Sequence, residues 1–231
     1  MWSGPRNIST AMMRAWENRP DCQVVDEPFY AYYLERTGID HPGREDVLRS
    51  QPRDWRVVAD RLTREPLRAG ATVFYQKHMT HHLLPEVDRS ALVGLRHAFL
   101  VRDPAEVLMS YAKVRGEPTL DDLGLPQQVE LYQRFGGPVV DARDVLEQPQ
   151  ATLRALCAAL DVEFSPAMLS WPAGRRDTDG VWGPHWYDAV WRSTGFAPYR
   201  APMAEVPARL EPLLHQCRPL YDAVAAHRIA A

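Results

Sequence analysis

The sequence predicts an open α/β fold with a largely parallel sheet. Two observations carry this expectation. Short apolar runs rich in β-branched and aromatic residues, at 22–26, 71–78, 96–101 and 138–141, alternate with helix-patterned segments. Polar groups then cluster where the strands end: Glu27 after the first, Lys77 and His78 closing the second, Arg102 after the third. In open parallel sheets, ligands bind beyond the carboxyl ends of the strands, so these groups are expected to converge on one site.

Taken in order, the chain opens with a turn over 3–7, where Gly4 and Pro5 are adjacent and Arg6 follows. Ser9 or Thr10 is the expected cap of a helix running through Trp16. A turn opening onto a helix N-terminus offers unpaired N–H groups and a positive dipole end, and Arg6 adds a cation. This is an anion site. Such a turn is normally fed by a buried strand of about five residues, yet only Met1 and Trp2 precede it. Either that strand is very short, or the start lies a few codons downstream of the true one. Residues 18–21 stop the first helix. Helices are expected over 30–37, 46–50 and 54–68, the last with a partial stripe of Trp55, Val58, Leu62 and Leu67. Asp103 is the expected cap, and Pro104 the first residue, of a helix reaching about Lys113. Further helices are expected over 125–135 and 152–160, with Leu153, Leu156 and Leu160 on one face of the latter. From Ser165 the chain turns aromatic and irregular, with Trp171, Trp182, Trp186, Tyr187 and Trp191. Such a stretch suits a lid or a pocket wall. A closing helix over 206–227 carries Leu210, Leu213, Leu214, Leu220 and Val224 for packing. The expected organisation is one domain over 1–231. Residues 1–164 form its α/β core, and 165–231 form the aromatic loop and closing helix.

Composition removes several function classes. A formal net charge of −3 gives no reason to expect a bulk nucleic-acid binder. No apolar run approaches the roughly 18 residues a membrane span needs, and Pro5, Arg6 and Asn7 interrupt any signal-peptide pattern. Cys22, Cys157 and Cys217 are far apart and form neither a metal-ligand spacing nor a disulfide framework. A cytoplasmic location, a small-molecule partner, and no nucleic acid, membrane or metal are expected. The oligomeric state is not legible.

The first turn lacks the second Gly and the Gly-Lys-Ser/Thr of a nucleoside-triphosphatase P-loop. Arg6 stands where that Lys would be, which favours an anion other than a Mg-bound triphosphate. No strand-end acid is dedicated to Mg²⁺, Asp26 being the one to propose. Arg102, at a strand end, and Ser110, about two turns into the next helix, reach the same region from the other side.

Together these stretches resemble the sulfotransferase superfamily, which uses 3′-phosphoadenosine-5′-phosphosulfate (PAPS). Residues 3–10 resemble its 5′-phosphosulfate loop. Residues 99–104, with Ser110 eight positions after Arg102, resemble its 3′-phosphate motif. Residues 141–146, then Pro149, Thr152 and Leu153, are similar to the acidic strand-to-helix stretch beyond. The C-terminal aromatic segment resembles a bacterial sulfotransferase-like subgroup. Many members have Lys in place of Arg6, and the Lys-x-His strand of cytosolic members appears here as Lys77-His78.

The resemblance implies a P-loop-like, three-layer α/β/α architecture. It also implies transfer of a sulfuryl group to a hydroxyl or amine. Ser3, Gly4, Pro5, Arg6, Asn7, Ser9 and Thr10 would hold the phosphosulfate, and Arg102 and Ser110 the 3′-phosphate. Arg175 and Arg176 would add cations, by similarity to a C-terminal basic loop. Two bases are open: His78, at a strand end beside Lys77 with an imidazole that titrates near neutrality, and Glu27, because other branches use a Glu near the end of the second strand. Lys77 would assist at the sulfuryl oxygens. His81 and His82 read as surface or helix-start residues, and a bare His pair is a poor metal signal. Two other classes stay open: a small-molecule kinase with a degenerate P-loop, and a non-catalytic nucleotide- or anion-binding protein.

Overall fold

A computed structural model describes residues 1–115, 118–201 and 205–230. Five strands form one sheet in the order β2-β3-β1-β4-β5, and every pairing is parallel. In chain order the elements are β1 (Trp2–Ser3), α1 (Ser9–Glu17), β2 (Cys22–Asp26), α2 (Tyr30–Thr37), α3 (Arg44–Ser50), α4 (Trp55–Arg64) and β3 (Val73–Met79). After β3 come β4 (Phe99–Val101), α5 (Pro104–Arg115), α6 (Leu120–Leu123), α7 (Leu125–Phe135), β5 (Val139–Asp141), α8 (Ala142–Glu147) and α9 (Pro149–Ala159). The short helices α10 (Gly183–Trp186) and α11 (Asp188–Trp191) and the long α12 (Glu211–Ala225) complete the chain. No helix among the described residues is long and apolar enough to cross a membrane.

Alternation along the strands divides the core between the two faces of the sheet. Val24, Tyr75, Leu100 and Val140 join Met12, Met13 and Trp16 of α1 and Leu153 and Leu156 of α9 on one face. Phe99, Val101 and Val139 turn the other way, against Val58 and Leu62 of α4, Leu131 of α7 and Val224 of α12. Helices thus cover both faces, giving the three-layer α/β/α arrangement.

The two-residue β1 occupies the centre of this sheet, with Trp2 and Ser3 in register with His78 and Met79 on one side and Phe99 and Leu100 on the other. Side chains brace so short a strand. Trp2 stacks on His78, with ring centroids 4.2 Å apart, and its indole N–H donates to His97 Nδ1 at 2.9 Å. Gln128 Nε2 donates to the Leu100 carbonyl at 3.0 Å, and Asn7 Nδ2 donates to the same carbonyl at 3.3 Å. The turn leaving β1 is thereby tied to β4 and α7, not only to its own strand.

The closing helix begins later than the sequence pattern suggests. Residues 208–210 form a 3₁₀ turn, and α12 starts at Glu211 with Pro212 in its first turn. Beyond α12, the Ile229 N–H donates to the Val139 carbonyl.

Candidate active site

A cavity of about 290 Å³ lies beyond the carboxyl ends of β1, β2, β3 and β4. Pro5, Arg6, Asn7, Ile8, Ser9 and Thr10 line one side, with Arg102 and Ser110. Glu27, Lys77, Tyr30, His41, His81, His82, Trp186 and Tyr187 line the rest.

The turn feeding α1 has an unusual backbone. Arg6 and Ile8 both have positive φ, 61° and 56°. For a β-branched residue this is a strained conformation, of the kind that persists where the surroundings impose it. Ile8 is the N-cap residue, and no side chain caps the helix. Ser9 and Thr10 are therefore the first helical residues and not the cap that their residue types suggest. The consequence is chemical, because the first N–H groups of α1 stay open to a ligand, with the positive dipole end behind them. Ser3 and Gly4 lie beneath the cavity and not in its wall. Gly4 is required there, since a Cβ at that position would sit 2.5 Å from the Leu123 carbonyl oxygen.

The second half of the candidate anion site is joined to the first by hydrogen bonds. Arg6 Nε donates to Ser110 Oγ at 3.0 Å, and Arg102 Nη1 donates to the Arg6 carbonyl at 2.8 Å. Arg102 Nε is held by Glu106 at 2.8 Å, and the Tyr199 hydroxyl donates to the other oxygen of Glu106. Asp103 accepts from the Ala105 N–H and so caps α5, fixing the distance between Arg102 and Ser110.

Across the cavity lies a buried ionic cluster. Lys77, 1% exposed, donates to Asp26 Oδ1 at 2.8 Å, Glu27 Oε1 at 2.6 Å and the Tyr187 hydroxyl at 2.8 Å. Those three bonds use all of its protons. The Tyr187 hydroxyl donates to Asp26 Oδ2 at 2.6 Å and accepts from the Trp182 indole at 2.9 Å. The Gly180 N–H also reaches Asp26 Oδ2, at 3.2 Å. Burial alone would lower the Lys77 pKa, but attraction to Asp26 and then Glu27 outweighs it and holds the ammonium above its usual range. One ammonium does not neutralise two carboxylates. Burial therefore raises the Glu27 pKa, against the opposing pull of Lys77 and with a further push from Asp26. Glu27 also has a positive φ of 40°.

Several expectations from the sequence are corrected here. His78 does not reach the cavity. Alternation along β3 sends Lys77 and Met79 to the cavity, while His78 points to the other face. There it is 3% exposed, stacks on Trp2 and bonds Gln76 through Nε2 at 3.1 Å. Burial, with repulsion from the Met1 ammonium and His97, depresses its pKa well below the usual imidazole value, so it is also a poor base. Lys77 has no spare proton for sulfuryl oxygens. Arg175 stacks over Trp191 at 4.3 Å, and neither Arg175 nor Arg176 lines the cavity; both lie in the wall of a separate surface groove with Asp46 and Arg49. His81 and His82 are not surface residues; both are buried in the cavity wall.

Tyr30, His41 and His82 are wall residues that motif reading passes over, while Trp186 and Tyr187 come from the aromatic stretch expected to supply a lid or a pocket wall. The one signal for His82 is position, just after the end of β3. Among the described residues, no three His, Cys, Asp or Glu side chains converge as metal ligands.

The family follows from comparison with known proteins. Residues 1–228 match the family model described as sulfotransferase domain, and the chain belongs to that family. Two solved structures share its fold. One is a sulfotransferase from Alicyclobacillus acidocaldarius, with a TM-score of 0.57 and 15% identity over 100% of this chain and 95% of that one. The other is the sulfotransferase domain of the Synechococcus PCC 7002 olefin synthase, with a TM-score of 0.56 and 17% identity over 93% and 92%. Among curated relatives, two Arabidopsis thaliana proteins named branched-chain-amino-acid aminotransferase-like protein 1 and 2 are 36% and 34% identical over 98% of this chain. The chain spans 41% of the length of each.

Proposed function

We propose that this chain transfers a sulfuryl group from PAPS to the hydroxyl of a small-molecule acceptor. One observation carries the reading. The uncapped start of α1 and the Arg102–Ser110 pair are hydrogen-bonded through Arg6 into a single two-part anion site. A nucleotide with phosphates at both the 5′ and 3′ positions needs such a site, and a 5′-monophosphate uses only half of it.

The residues present fit the donor. Arg6 and the open N–H groups at Ser9 and Thr10 would hold the phosphosulfate end, and Arg102 with Ser110 the 3′-phosphate. When bound, PAPS supplies an activated sulfuryl group and a phosphate leaving group. The chain's task is then to position the partners and stabilise charge. Arg6 and the α1 dipole stabilise negative charge on the leaving side. Glu27 lies in the cavity wall, and its raised pKa makes it a stronger base than an ordinary carboxylate. It takes the acceptor's hydroxyl proton. Lys77 and Asp26 hold Glu27 in place.

Calorimetric titration tests this reading. 3′,5′-Adenosine bisphosphate is expected to bind at least tenfold more tightly than 5′-AMP or ATP. Equal affinity for 5′-AMP and the bisphosphate would remove the role given to Arg102 and Ser110.

A further inference from the structure

We infer that the groove between β3 and β4, at the amino end of β1, is a strand-binding site. Its occupant is an extended apolar segment of about four residues, parallel to both neighbours and peptide-bonded to the Met1 nitrogen. The groove lies at the opposite end of the sheet from the candidate active site, so its role is independent of the sulfuryl-transfer reading.

Width and length come from the sheet. A cavity of about 680 Å³ is lined by residues 73–76 of β3 on one side and by 94–98, leading into β4, on the other. Strand β1 pairs with both β3 and β4, so these two lie two strand spacings apart, roughly 9–10 Å. That gap is one strand wide. Trp2 is opposite His78, so Met1 comes opposite Lys77, and residues 73–76 lie beyond the end of β1. About four further residues reach Val73, roughly 13 Å of extended chain. The backbone of β3 is turned to meet them. The Glu27 N–H donates to the Lys77 carbonyl, and the His78 N–H donates to the Met1 carbonyl. Odd residues of β3 therefore face β2 and even residues face β1, which aims the N–H and carbonyl of Phe74 and the N–H of Gln76 into the groove. Such an edge is a template for another strand.

Side chains set the chemistry of the occupant. Trp16, Tyr75, Leu160 and Val162 line the groove from one face of the sheet, and Phe74 and Leu95 from the other. A parallel strand covered by apolar side chains on both faces is itself apolar throughout. The charged wall residues make no demand on it. Arg19 pairs with Asp21 at 2.9 Å, Arg96 pairs with Asp161 at 3.2 Å, and Glu163 is exposed to solvent.

The Met1 nitrogen sets the mode of attachment. It is buried and donates to the Gln76 carbonyl at 2.9 Å, which is the place of an amide N–H in a parallel ladder. As a free amine there, its pKa is lowered by burial to about 5. An amide carries no charge to desolvate, so a peptide bond at this nitrogen removes that cost. A separate peptide would bring its terminal carboxylate against the buried amine, and two ions would have to leave water.

Thermal unfolding of the full chain with one of three segments placed ahead of Met1, each released from a cleavable leader, tests this site. The segments are Val-Leu-Val-Leu, Gly-Ser-Gly-Ser and Val-Leu-Pro-Leu. The first should raise the melting temperature by about 5 °C or more over the unextended chain. Gly-Ser-Gly-Ser should leave it within about 1 °C. Proline withdraws the N–H that faces the Phe74 carbonyl, so the third segment should lose most of the rise. Amide exchange at Phe74 and Gln76 should slow by about tenfold or more in the first chain alone. An apolar segment that stabilises no more than Gly-Ser-Gly-Ser, or as much with proline as without it, overturns the site, as does unchanged exchange at both amides. Acetyl-Val-Leu-Val-Leu-amide at about 1 mM should not raise the melting temperature of the unextended chain. A rise equal to that of the fused segment would give the groove to a separate chain and overturn the attachment at Met1.

Discussion

The two sides of the cavity carry charge in opposite ways. On the anion-turn side, Arg6 is exposed and Arg102 is half-buried, and their bonds go to Ser110, Glu106 and a backbone carbonyl. On the other side, Asp26, Glu27, Lys77 and Tyr187 are all buried and bond chiefly to one another. Exposed guanidinium groups keep their charge in water until a ligand arrives, at little cost to folding. Buried carboxylates and ammonium must be matched from the outset, because an unmatched buried charge costs several kcal/mol. On the proposed reading, the first side receives charge from outside and the second holds the proton acceptor, Glu27, at a raised pKa.

Variants on each side should therefore fail in different ways. The largest effect is expected from Glu27→Gln, which removes the proposed base while keeping the shape. Transfer should fall by about 10²–10⁴-fold, while donor affinity stays unchanged. In the parent protein the base works only when ionised. Its rate should rise with pH through the raised Glu27 pKa, and that acidic limb should vanish in the variant. A rate profile in Glu27→Gln with the same limb would transfer the role to another group. Next in size is Lys77→Met, which strands two buried carboxylates. A loss of about 3–5 kcal/mol in unfolding free energy is expected by urea denaturation, and a loss below 1 kcal/mol would mean the cluster is not buried as described.

Arg102→Ala should act on binding and not on folding. Removing one charge-assisted contact predicts about 10- to 100-fold weaker binding of 3′,5′-adenosine bisphosphate, with 5′-AMP little changed and the melting temperature kept. The smallest effect is expected from Tyr187→Phe. It removes one hydroxyl bonded to Lys77, Asp26 and Trp182, and about 1–3 kcal/mol of stability should go with it. Unchanged stability would detach the aromatic segment from the cluster.

What the sequence reveals and what it hides separate along physical lines. Strand β2 and helices α2 and α7 fall where the apolar patterns place them, because those patterns set which face is buried. The Arg102–Ser110 spacing is legible because a helix capped by Asp103 converts sequence distance directly into space. Lys77 and His78 are different. They are adjacent, both end a strand, and only the register of β3 in the sheet decides which faces the cavity. The missing cap on α1 is set by Ile8 in a left-handed conformation, which no residue propensity predicts. Tyr187 lies 110 residues from Lys77 in a segment without periodicity, so its place in the cluster comes from tertiary packing alone. The two-residue β1 is held by bonds from Trp2, Asn7 and Gln128, and no strand pattern in the sequence announces them.

A crystal structure with 3′,5′-adenosine bisphosphate bound is the most direct test of the proposed two-part donor site. The predicted result has the 5′-phosphate at the start of α1 beside Arg6, the 3′-phosphate against Arg102 and Ser110, and Glu27 as the nearest base to the 5′ end. A nucleotide bound elsewhere, or with its 3′-phosphate away from Arg102 and Ser110, would contradict it.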